Sequence, residues 1–487
     1  MEVQLRGELE IELEPGDAAG VLHDPLFGRN VTLGPAGVAV ASALQEPCEI
    51  AALLERLAAA GHPRAKVEPT LRLFAMLHLF DGIGDDVRAK IRGIWAGGIE
   101  LPYRQLEGAR HECQGSGMCC RSYRLGPITP EEVARISALP LHDAIPELPE
   151  GDVFGRIEGR FYLRTVDAHC VFLRADHRCN LHARFGEDAK PAACREYPVA
   201  FKATYREALV YNNHQCASHF VALTRGPSLI DAARLAGRTA TGEVTLFHPI
   251  VFPREDTPVD YAQFVELELA LRAAMTAGPP LEQLAHAPAL VDSFVAAALA
   301  LPLGVDPAPH FAAWRTHVPL VAASPPPPPT EDERADVAAL LDTLVDQMST
   351  MLIEPQTVNM DGDMVPLASE IVPVLASLQL RVQRVVPGAA VPPLGEPIAS
   401  VLSASLAQAF AGGLSLADDR PLPAIGQMAL AIACAFAAAR DGSLEALGRG
   451  HMLANRVLLP LTRLVFRGQP ELVRSLLAVL PALATGP

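Results

Sequence analysis

Positive charge is scarce in this sequence. Lysine and arginine together number 40 against 56 aspartate and glutamate residues, which gives a net charge of −16 over 487 residues. Phosphate binding depends on clustered positive charge. The composition therefore argues against nucleic acid as the main partner. The length allows roughly two to four domains with substantial cores.

Targeting signals are also missing. The N-terminus, from Met1 to Leu5, has neither the basic region nor the apolar core of a signal peptide, so we expect a cytoplasmic protein. Two uncharged stretches, residues 397–417 and 421–439, approach the roughly 20 residues that span a bilayer. Serine, glutamine, glycine and proline interrupt both stretches. We therefore predict buried helices there and no membrane span.

Short catalytic motifs are absent as well. The sequence contains no Gly-Lys-Ser phosphate loop, no His-Glu-x-x-His zinc-protease helix and no Gly-x-Ser-x-Gly nucleophile elbow. Nothing local identifies a site for S-adenosylmethionine. No catalytic residue is assigned by motif.

Cysteine, by contrast, is concentrated in one region. The two cysteines outside it, Cys48 and Cys434, are expected to be ordinary half-buried and buried residues. A reducing compartment keeps thiols free, which favours metal binding or redox chemistry over disulfides. We predict a metal site built from the other seven of the nine cysteines: Cys113, Cys119, Cys120, Cys170, Cys179, Cys194 and Cys216.

The type of donor restricts the metal. Soft thiolates select zinc, copper(I) or iron–sulfur centres over magnesium and calcium. Seven thiols exceed the four that one zinc ion or one cubane cluster uses. Either two centres share the region or some cysteines do not bind metal directly, and the spacing does not decide between these. We expect an iron–sulfur cluster in preference to zinc.

Other side chains of the region could add ligands or support them. Among its histidines, His169 and His182 are the best additional ligands because each lies close to a cysteine in sequence. Arginines of the region could offset the negative charge of several thiolates. Lys190 and Pro191 predict the start of a short helix that carries Cys194, and the sequence Thr129-Pro-Glu-Glu predicts a capped helix.

The spacing of these residues resembles the YkgJ-type cysteine-cluster proteins, also described as zinc- or iron-chelating domains, which include the flagellin lysine-N-methylases. The family pattern runs Cys-x-x-Cys-Gly-x-Cys-Cys, Cys-x-Phe-Leu, Cys-x-Ile-His and Lys/Arg-Pro-x-x-Cys-Arg-x-Tyr/Phe-Pro. The matching residues are Cys113, Gly117, Cys119, Cys120, Cys170, Phe172, Leu173, Cys179, Leu181, His182, Lys190, Pro191, Cys194, Arg195, Tyr197 and Pro198.

The resemblance implies a metal centre and a reaction on a protein or peptide, with S-adenosylmethionine as the donor if the reaction is methylation. Arg195, Tyr197 and Ser116 are candidates for an additional ligand or for side chains that lie beside the ligands. One position departs from the pattern, because Ser116 stands where the second cysteine is expected. An eighth thiolate is therefore missing, and a centre here would be altered, open at one position or absent.

Residues 1–100 are predicted to form a separate unit. Val3, Leu5, Leu9, Ile11 and Leu13 occupy alternate positions, the period of a half-buried strand, and apolar residues at helical spacing follow Pro35. Strands followed by three short helices predict a winged-helix-like fold. This order, with the stretch 27–37 ahead of the helices, resembles the PqqD-type domains. The resemblance implies that an edge strand and the third helix receive a peptide by strand addition.

The C-terminal half has helical periodicity throughout. A run of prolines at 325–329 predicts a stiff connector, residues 324–333, between a helical segment 221–323 and a C-terminal helical domain 334–487. Such an array is usually core, and it could also form a groove for a protein partner. Helices are predicted at 264–275, 290–301, 335–351, 371–380, 398–410, 428–439 and 472–483.

The expected fold is mainly α, with a small α+β winged-helix-like N-terminal domain and a loop-rich, metal-stabilised cysteine-cluster domain at 108–220. Two functions fit this sequence. One is a metal-binding enzyme, methyltransferase- or oxidoreductase-like, that modifies a protein or peptide substrate. The other is a non-catalytic, metal-stabilised module that binds a protein or peptide.

Overall fold

The computed structural model describes most of the chain in three consecutive regions. The protein is mainly helical with short strands, as predicted. The predicted polyproline connector lies partly outside the described residues. The residues that the structure describes are 2–13, 19–27, 29–82, 84–96, 98, 101–105, 108–167, 169–229, 246–247, 250–254, 257–301, 307–321, 327–353, 364–387, 389, 393–412, 421–439 and 442–485.

The N-terminal region is an antiparallel sheet followed by helices. Its elements are β1 Glu2–Val3, β2 Glu10–Leu13, β3 Gly20–Asp24, β4 Arg29–Leu33, α1 Pro35–Ala43, β5 Cys48–Glu49, α2 Ile50–Ala59, α3 Arg64–Met76 and α4 Asp85–Trp95. Strands β2, β3 and β4 pair in that order, so β2 and β4 are the edges. Pro35 begins α1 at the position where a missing N–H costs nothing, as predicted.

This region has a hydrophobic core of its own. Leu22, Phe74 and Phe80 are fully buried in it, and the core residues run from Val3 to Phe80. A buried ion pair joins Arg6 to Asp24 at 2.7 Å. Cys48 is half-buried, as predicted. A separate core agrees with a separately packed unit.

The cysteine region is built from short elements joined by loops. They are β6 Tyr103–Gln105, α5 Met118–Ser122, α6 Pro130–Ser137, α7 Leu141–Ala144, β7 Phe154–Ile157, β8 Arg160–Leu163, β9 Thr165–Val166, β10 His169–Cys170, α8 Asn180–Phe185, α9 Ala192–Glu196, β11 Val199–Thr204, β12 Ala208–Asn212, α10 His219–Thr224 and β13 Leu246–Phe247. A four-stranded sheet has the order β13-β11-β12-β6.

Two local predictions for this region are confirmed. Helix α6 begins with a capping box, in which the Thr129 hydroxyl accepts from the Glu132 N–H at 3.3 Å and the Glu132 carboxylate accepts from the Thr129 N–H at 3.3 Å. Helix α9 follows Pro191 and carries Cys194. A small core that includes Ile136, Phe172 and Leu181 holds these elements together.

The remaining chain is a helical array preceded by one strand pair. Its elements are β14 Ile250–Arg254, β15 Thr257–Asp260, α11 Tyr261–Ala277, α12 Pro280–Ala285, α13 Ala287–Ala300, α14 Pro307–Val321, α15 Glu331–Ile353, α16 Met364–Arg384, α17 Ile398–Gly412, α18 Pro421–Ala438, α19 Leu444–Val457, α20 Leu459–Gly468 and α21 Pro470–Thr485. All seven predicted helices fall on helices of this array. Their observed ends differ from the predicted ones by up to seven residues, because periodicity marks the buried face better than the helix ends.

One continuous core joins the helices on both sides of residues 324–333. Helix α11 packs on α17, α15 packs on α21, and α18 contacts α16, α19, α20 and α21. By length and composition, Pro280–Ala300 and Pro421–Ala438 could cross a membrane, and 89% of the apolar window in the second is buried inside the protein. Cys434 lies at the centre of α18 and is buried, as predicted.

Helix α19 is one of the elements that join the cysteine region to the helical array. It packs against α10 and α18. A Cβ atom on Gly448 would overlap the carbonyl oxygen of Ala217, and one on Gly450 would lie 2.6 Å from the Cβ of Ala438. The two glycines therefore let α19 approach both neighbours at backbone distance.

Replacing Gly448 by alanine is expected to lower the free energy of unfolding by about 1–3 kcal/mol, because the added methyl group overlaps the Ala217 backbone. Gly468→Ala is the matched control, since no atom lies within 4 Å of the added Cβ there. Denaturant midpoints of both variants test this. A midpoint for Gly448→Ala equal to that of Gly468→Ala would show that the close approach is not needed.

Candidate metal centre

Two neighbouring thiols lie at the start of α5. Gly117, just before this helix, has φ of 67°, and a Cβ there would lie 3.0 Å from the Cβ of His177, so the turn requires glycine. The sulfur atoms of Cys119 and Cys120 are 3.9 Å apart. Two thiolates of a tetrahedral zinc site, with Zn–S near 2.3 Å, stand about 3.8 Å apart. The pair therefore has the spacing of one edge of such a site.

Three further thiols come from separate elements of the same small core. Cys170 lies on β10, which packs against α5, Cys179 lies immediately before α8, and Cys194 lies on α9. The charges of Cys170, Cys179 and Cys194 act on one another and on Cys119. Residues far apart in sequence are thus brought within electrostatic range.

Cys216 and Cys113 complete the set of predicted thiols. Cys216 is buried and Cys113 is exposed, and the charges of both Cys119 and Cys113 act on Cys216. The seven predicted ligands therefore form one neighbourhood around Cys119. The side chain of Cys113 is exposed to solvent, whereas that of Cys216 is buried.

Backbone N–H groups point at several of these sulfurs. The N–H of Gly115 donates to the Cys113 sulfur at 3.5 Å. Cys170, Cys179 and Cys216 accept N–H groups from residues two or three positions further on. Such bonds favour the thiolate, the form that binds metal. The local backbone is therefore arranged to stabilise the thiolate form of these cysteines.

Ionisation differs between the two members of the pair. The hydrogen bond from Cys120 is the main cause that lowers the pKa of Cys119 to about 7, and the charge of Lys190 lowers it further. The same hydrogen bond and burial raise the pKa of Cys120. Burial raises the pKa of Cys194 and of Cys216 to about 12. One thiolate thus forms readily, and the buried thiols whose pKa is raised need a cation to compensate their charge.

Lys190 supplies positive charge close to the sulfurs. Its charge lowers the pKa of Cys119, Cys179 and Cys194. The guanidinium of Arg195 donates to the carbonyl oxygens of Asp188 and Lys190 at 3.0 and 2.9 Å. Arg195, predicted beside the ligands, therefore holds the loop that positions Lys190. Sequence reasoning assigned charge compensation to arginines and gave Lys190 no such role.

The other predicted site residues are placed differently from one another. His169 is half-buried and its Nδ1 has no hydrogen-bond partner among the described atoms, whereas His182 is exposed. The hydroxyl of Tyr197 donates to the carbonyl oxygen of Gln215, beside Cys216, at 2.8 Å. Ser116 is exposed, and its Oγ accepts from the N–H of Met118 at 3.4 Å. His169 is thus the better placed histidine.

The donor set fits zinc or iron in its chemistry and in the spacing of its central pair. Within the described residues, no three histidine, cysteine, aspartate or glutamate side chains are already grouped as the ligands of one ion. Binding of metal would therefore draw additional sulfurs toward Cys119 and Cys120. Short elements joined by loops allow such a movement at small cost.

A cleft separates this neighbourhood from the helical array. Its volume is about 740 Å³, within the usual range for small-molecule and peptide sites. One wall includes Ser116 and Arg121 from the loop and helix that carry Cys119, and the other includes Glu370, Val374 and Leu453 from α16 and α19. We name this space the interdomain cleft. The sequence contains no signal for it, because its two walls come from segments as far apart in sequence as Ser116 and Glu370.

A buried cluster of three histidines lies between the same two regions. The ring centres of His214, His219 and His451 are 4.4 to 5.8 Å apart. The Nε2 atom of His219 lies 2.8 Å from the hydroxyl of Ser405. Burial lowers the pKa of His214 to about 4 and that of His451 to about 3. The three rings are therefore neutral at physiological pH and form part of the packing between regions.

Together, the thiols, the N–H groups aimed at them and the small core define a thiol-rich metal-binding domain. Residues 112–217 match the family described as "CxxCxxCC: putative zinc- or iron-chelating domain". The middle of the chain therefore matches the model of this cysteine-cluster family, as the resemblance in cysteine spacing predicted. No curated protein and no solved structure matches the chain.

The buried histidines predict a pH dependence of stability. The unfolded His451 titrates near 6.5, above its folded pKa of about 3, so the unfolded chain takes up the proton first as pH falls. The contribution of the neutral ring is complete above pH 6.5 and is lost as pH falls toward 3, by about 1.4 kcal/mol per pH unit. His451→Gln should reduce this slope. The exposed His142→Gln is the control, and equal slopes in both would contradict the assignment.

Proposed function

We propose that this protein is a metal-dependent enzyme that modifies a protein or peptide. The metal is held by thiolates of the cysteine region, and the substrate lies in the interdomain cleft. The observation that carries this proposal is the position of the cleft: Ser116, Met118 and Arg121, on the segment that bears Cys119 and Cys120, line it. A thiolate centre there would face a space large enough for a substrate.

The ligand assignment follows from burial and charge. Cys119 and Cys120 provide the central pair, and Cys170, Cys179 and Cys194 lie around it with Lys190 nearby. Cys113 and Cys216 extend the donor set, and their chain neighbours Gln114 and Ala217 line the cleft. Thiolates are the usual ligands of iron–sulfur clusters as well as of structural zinc, and we propose a cluster in preference to zinc. When bound, the metal would supply Lewis-acid or redox chemistry.

Delivery of the substrate is assigned to the N-terminal region. Strand β2 is an edge strand, and the side chains of Glu10, Glu12 and Leu13 on it are at least partly accessible. An extended peptide can add to such an edge through main-chain hydrogen bonds. This strand order, followed by three helices, supports the winged-helix-like, peptide-binding assignment.

A second candidate is a non-catalytic protein in which metal only stabilises the fold. The architecture of the cysteine region favours this non-catalytic role, because short elements joined by loops share a small core. Structural zinc sites often stabilise regions of this kind. The two candidates differ in the expected metal and in its reactivity.

Metal analysis of cysteine variants tests the site. Cys119→Ala and Cys194→Ala are expected to lose at least half of the bound metal and to destabilise the cysteine region, because each removes a thiolate from a shared centre. Cys434→Ala is the matched control. Its thiol is buried in α18 far outside the donor set, so metal content should not change. Equal metal content in all three variants would rule out the assignment.

The absorption spectrum of anaerobically purified protein, measured with elemental analysis, separates the two candidates. An oxygen-sensitive brown chromophore with iron supports the enzyme with an iron–sulfur cluster. Colourless protein with stoichiometric zinc supports the stabilising role. Protein with neither metal would contradict both.

A further inference from the structure

The family name itself places a second cysteine three residues after the first, and this chain has Ser116 there. A serine hydroxyl is a poor ligand for the soft metals that thiolates select. Cys113 lies three residues before Ser116 and Cys119 three residues after it. The ligand set therefore lacks one donor at a defined point between two predicted ligands.

The backbone fixes where this point lies. Gly115 has φ of 66° and Gly117 has φ of 67°, so Ser116 stands between two left-handed turns. Its side chain is exposed and lines the interdomain cleft. A cysteine at this position would present its sulfur where the serine hydroxyl now meets the cleft.

We propose that Ser116 leaves one coordination position of the metal open toward the interdomain cleft, where a ligand with an anionic donor, a thiolate or a carboxylate, completes it. This inference rests on the proposed metal site. It adds the chemical class of the ligand and the direction from which the ligand reaches the metal.

The charge of the cleft supports an anionic ligand. Arg121 lines it, and among the described residues this guanidinium bonds only to Nδ1 of His177, at 2.7 Å. Its remaining N–H groups can accept a carboxylate in a charge-assisted pair. On the opposite wall Glu370 is paired with Arg449 at 2.6 Å, and the carboxylate of Glu445 also lines the cleft. The unneutralised charge that faces the ligand from the wall bearing Ser116 is therefore positive.

The residues on the floor of the cleft indicate the chemical character of the remainder of the ligand. Val374, Ala438 and Leu453 contribute apolar surface from α16, α18 and α19. A suitable ligand has an apolar body against these helices, an anionic end at Arg121 and a donor atom within reach of the metal. An acidic or thiol-bearing side chain of a peptide and a small organic thiol acid share this chemistry.

Cobalt(II)-loaded protein with mercaptoacetate tests the inference, because cobalt absorption reports a change of ligands without any assay of activity. Wild-type protein should show a saturable spectral change on addition of mercaptoacetate. Ser116→Cys should bind cobalt and lose this response, because the new thiolate fills the open position. Ser116→Ala should keep it, because serine is not a ligand.

A second pair of variants tests the ligand class. Arg121→Gln should weaken mercaptoacetate binding by about tenfold or more, through loss of a charge-assisted bond. Arg160→Gln, on the exposed hairpin strand β8, is the control and should leave binding unchanged. Equal binding in the two variants would overturn the role of Arg121 and with it the anionic ligand.

The outcomes separate this inference from the function on which it rests. Wild-type protein that binds no metal contradicts the proposed function. Metal-loaded protein that gives no response to mercaptoacetate, or a response that Ser116→Cys retains or Ser116→Ala abolishes, overturns the open position while leaving the metal site intact.

Discussion

Several buried thiols within electrostatic range of one another cannot all ionise without positive charge nearby, and this constraint governs the cysteine region. Burial raises the pKa of most of them, while one hydrogen bond lowers that of Cys119 to about 7. Backbone N–H groups and Lys190 provide part of the compensation. A divalent cation or an iron–sulfur cluster would provide the rest, because metal binding replaces the protons of the thiols.

The same constraint explains the architecture around the thiols. Five of the thiols come from β10, α5, α9 and the loop before α8, so no single element can hold them, and a small core with a capped helix gives the region its shape. Helix α19 then fixes the region against the helical array through Gly448 and the buried histidines. The interdomain cleft is a consequence of this attachment, since its walls belong to the two joined regions.

Much of the fold was predictable because it depends on local chemistry. The capping box at Thr129, the helix after Pro191 and the helices of the C-terminal half each follow from residues a few positions apart. The division of that half at the prolines stays a prediction, although one core extends across both sides. The sequence did not predict the role of Lys190. That role depends on the shape of a loop, which the Arg195 side chain fixes by donating a hydrogen bond to the carbonyl oxygen of Asp188.

The sequence by itself determined which atoms are available to bind metal: seven thiols, their spacing and the serine that replaces an eighth. These follow from composition and order alone. Only the tertiary structure decided that the charge of Cys119 reaches the other buried thiols, that Ser116 lines the interdomain cleft and that His451 packs against His214 and His219. The physical reason is that each of these contacts joins segments far apart in sequence, which come together only through long-range packing. The spacing of residues along the chain does not determine which distant segments are close in space.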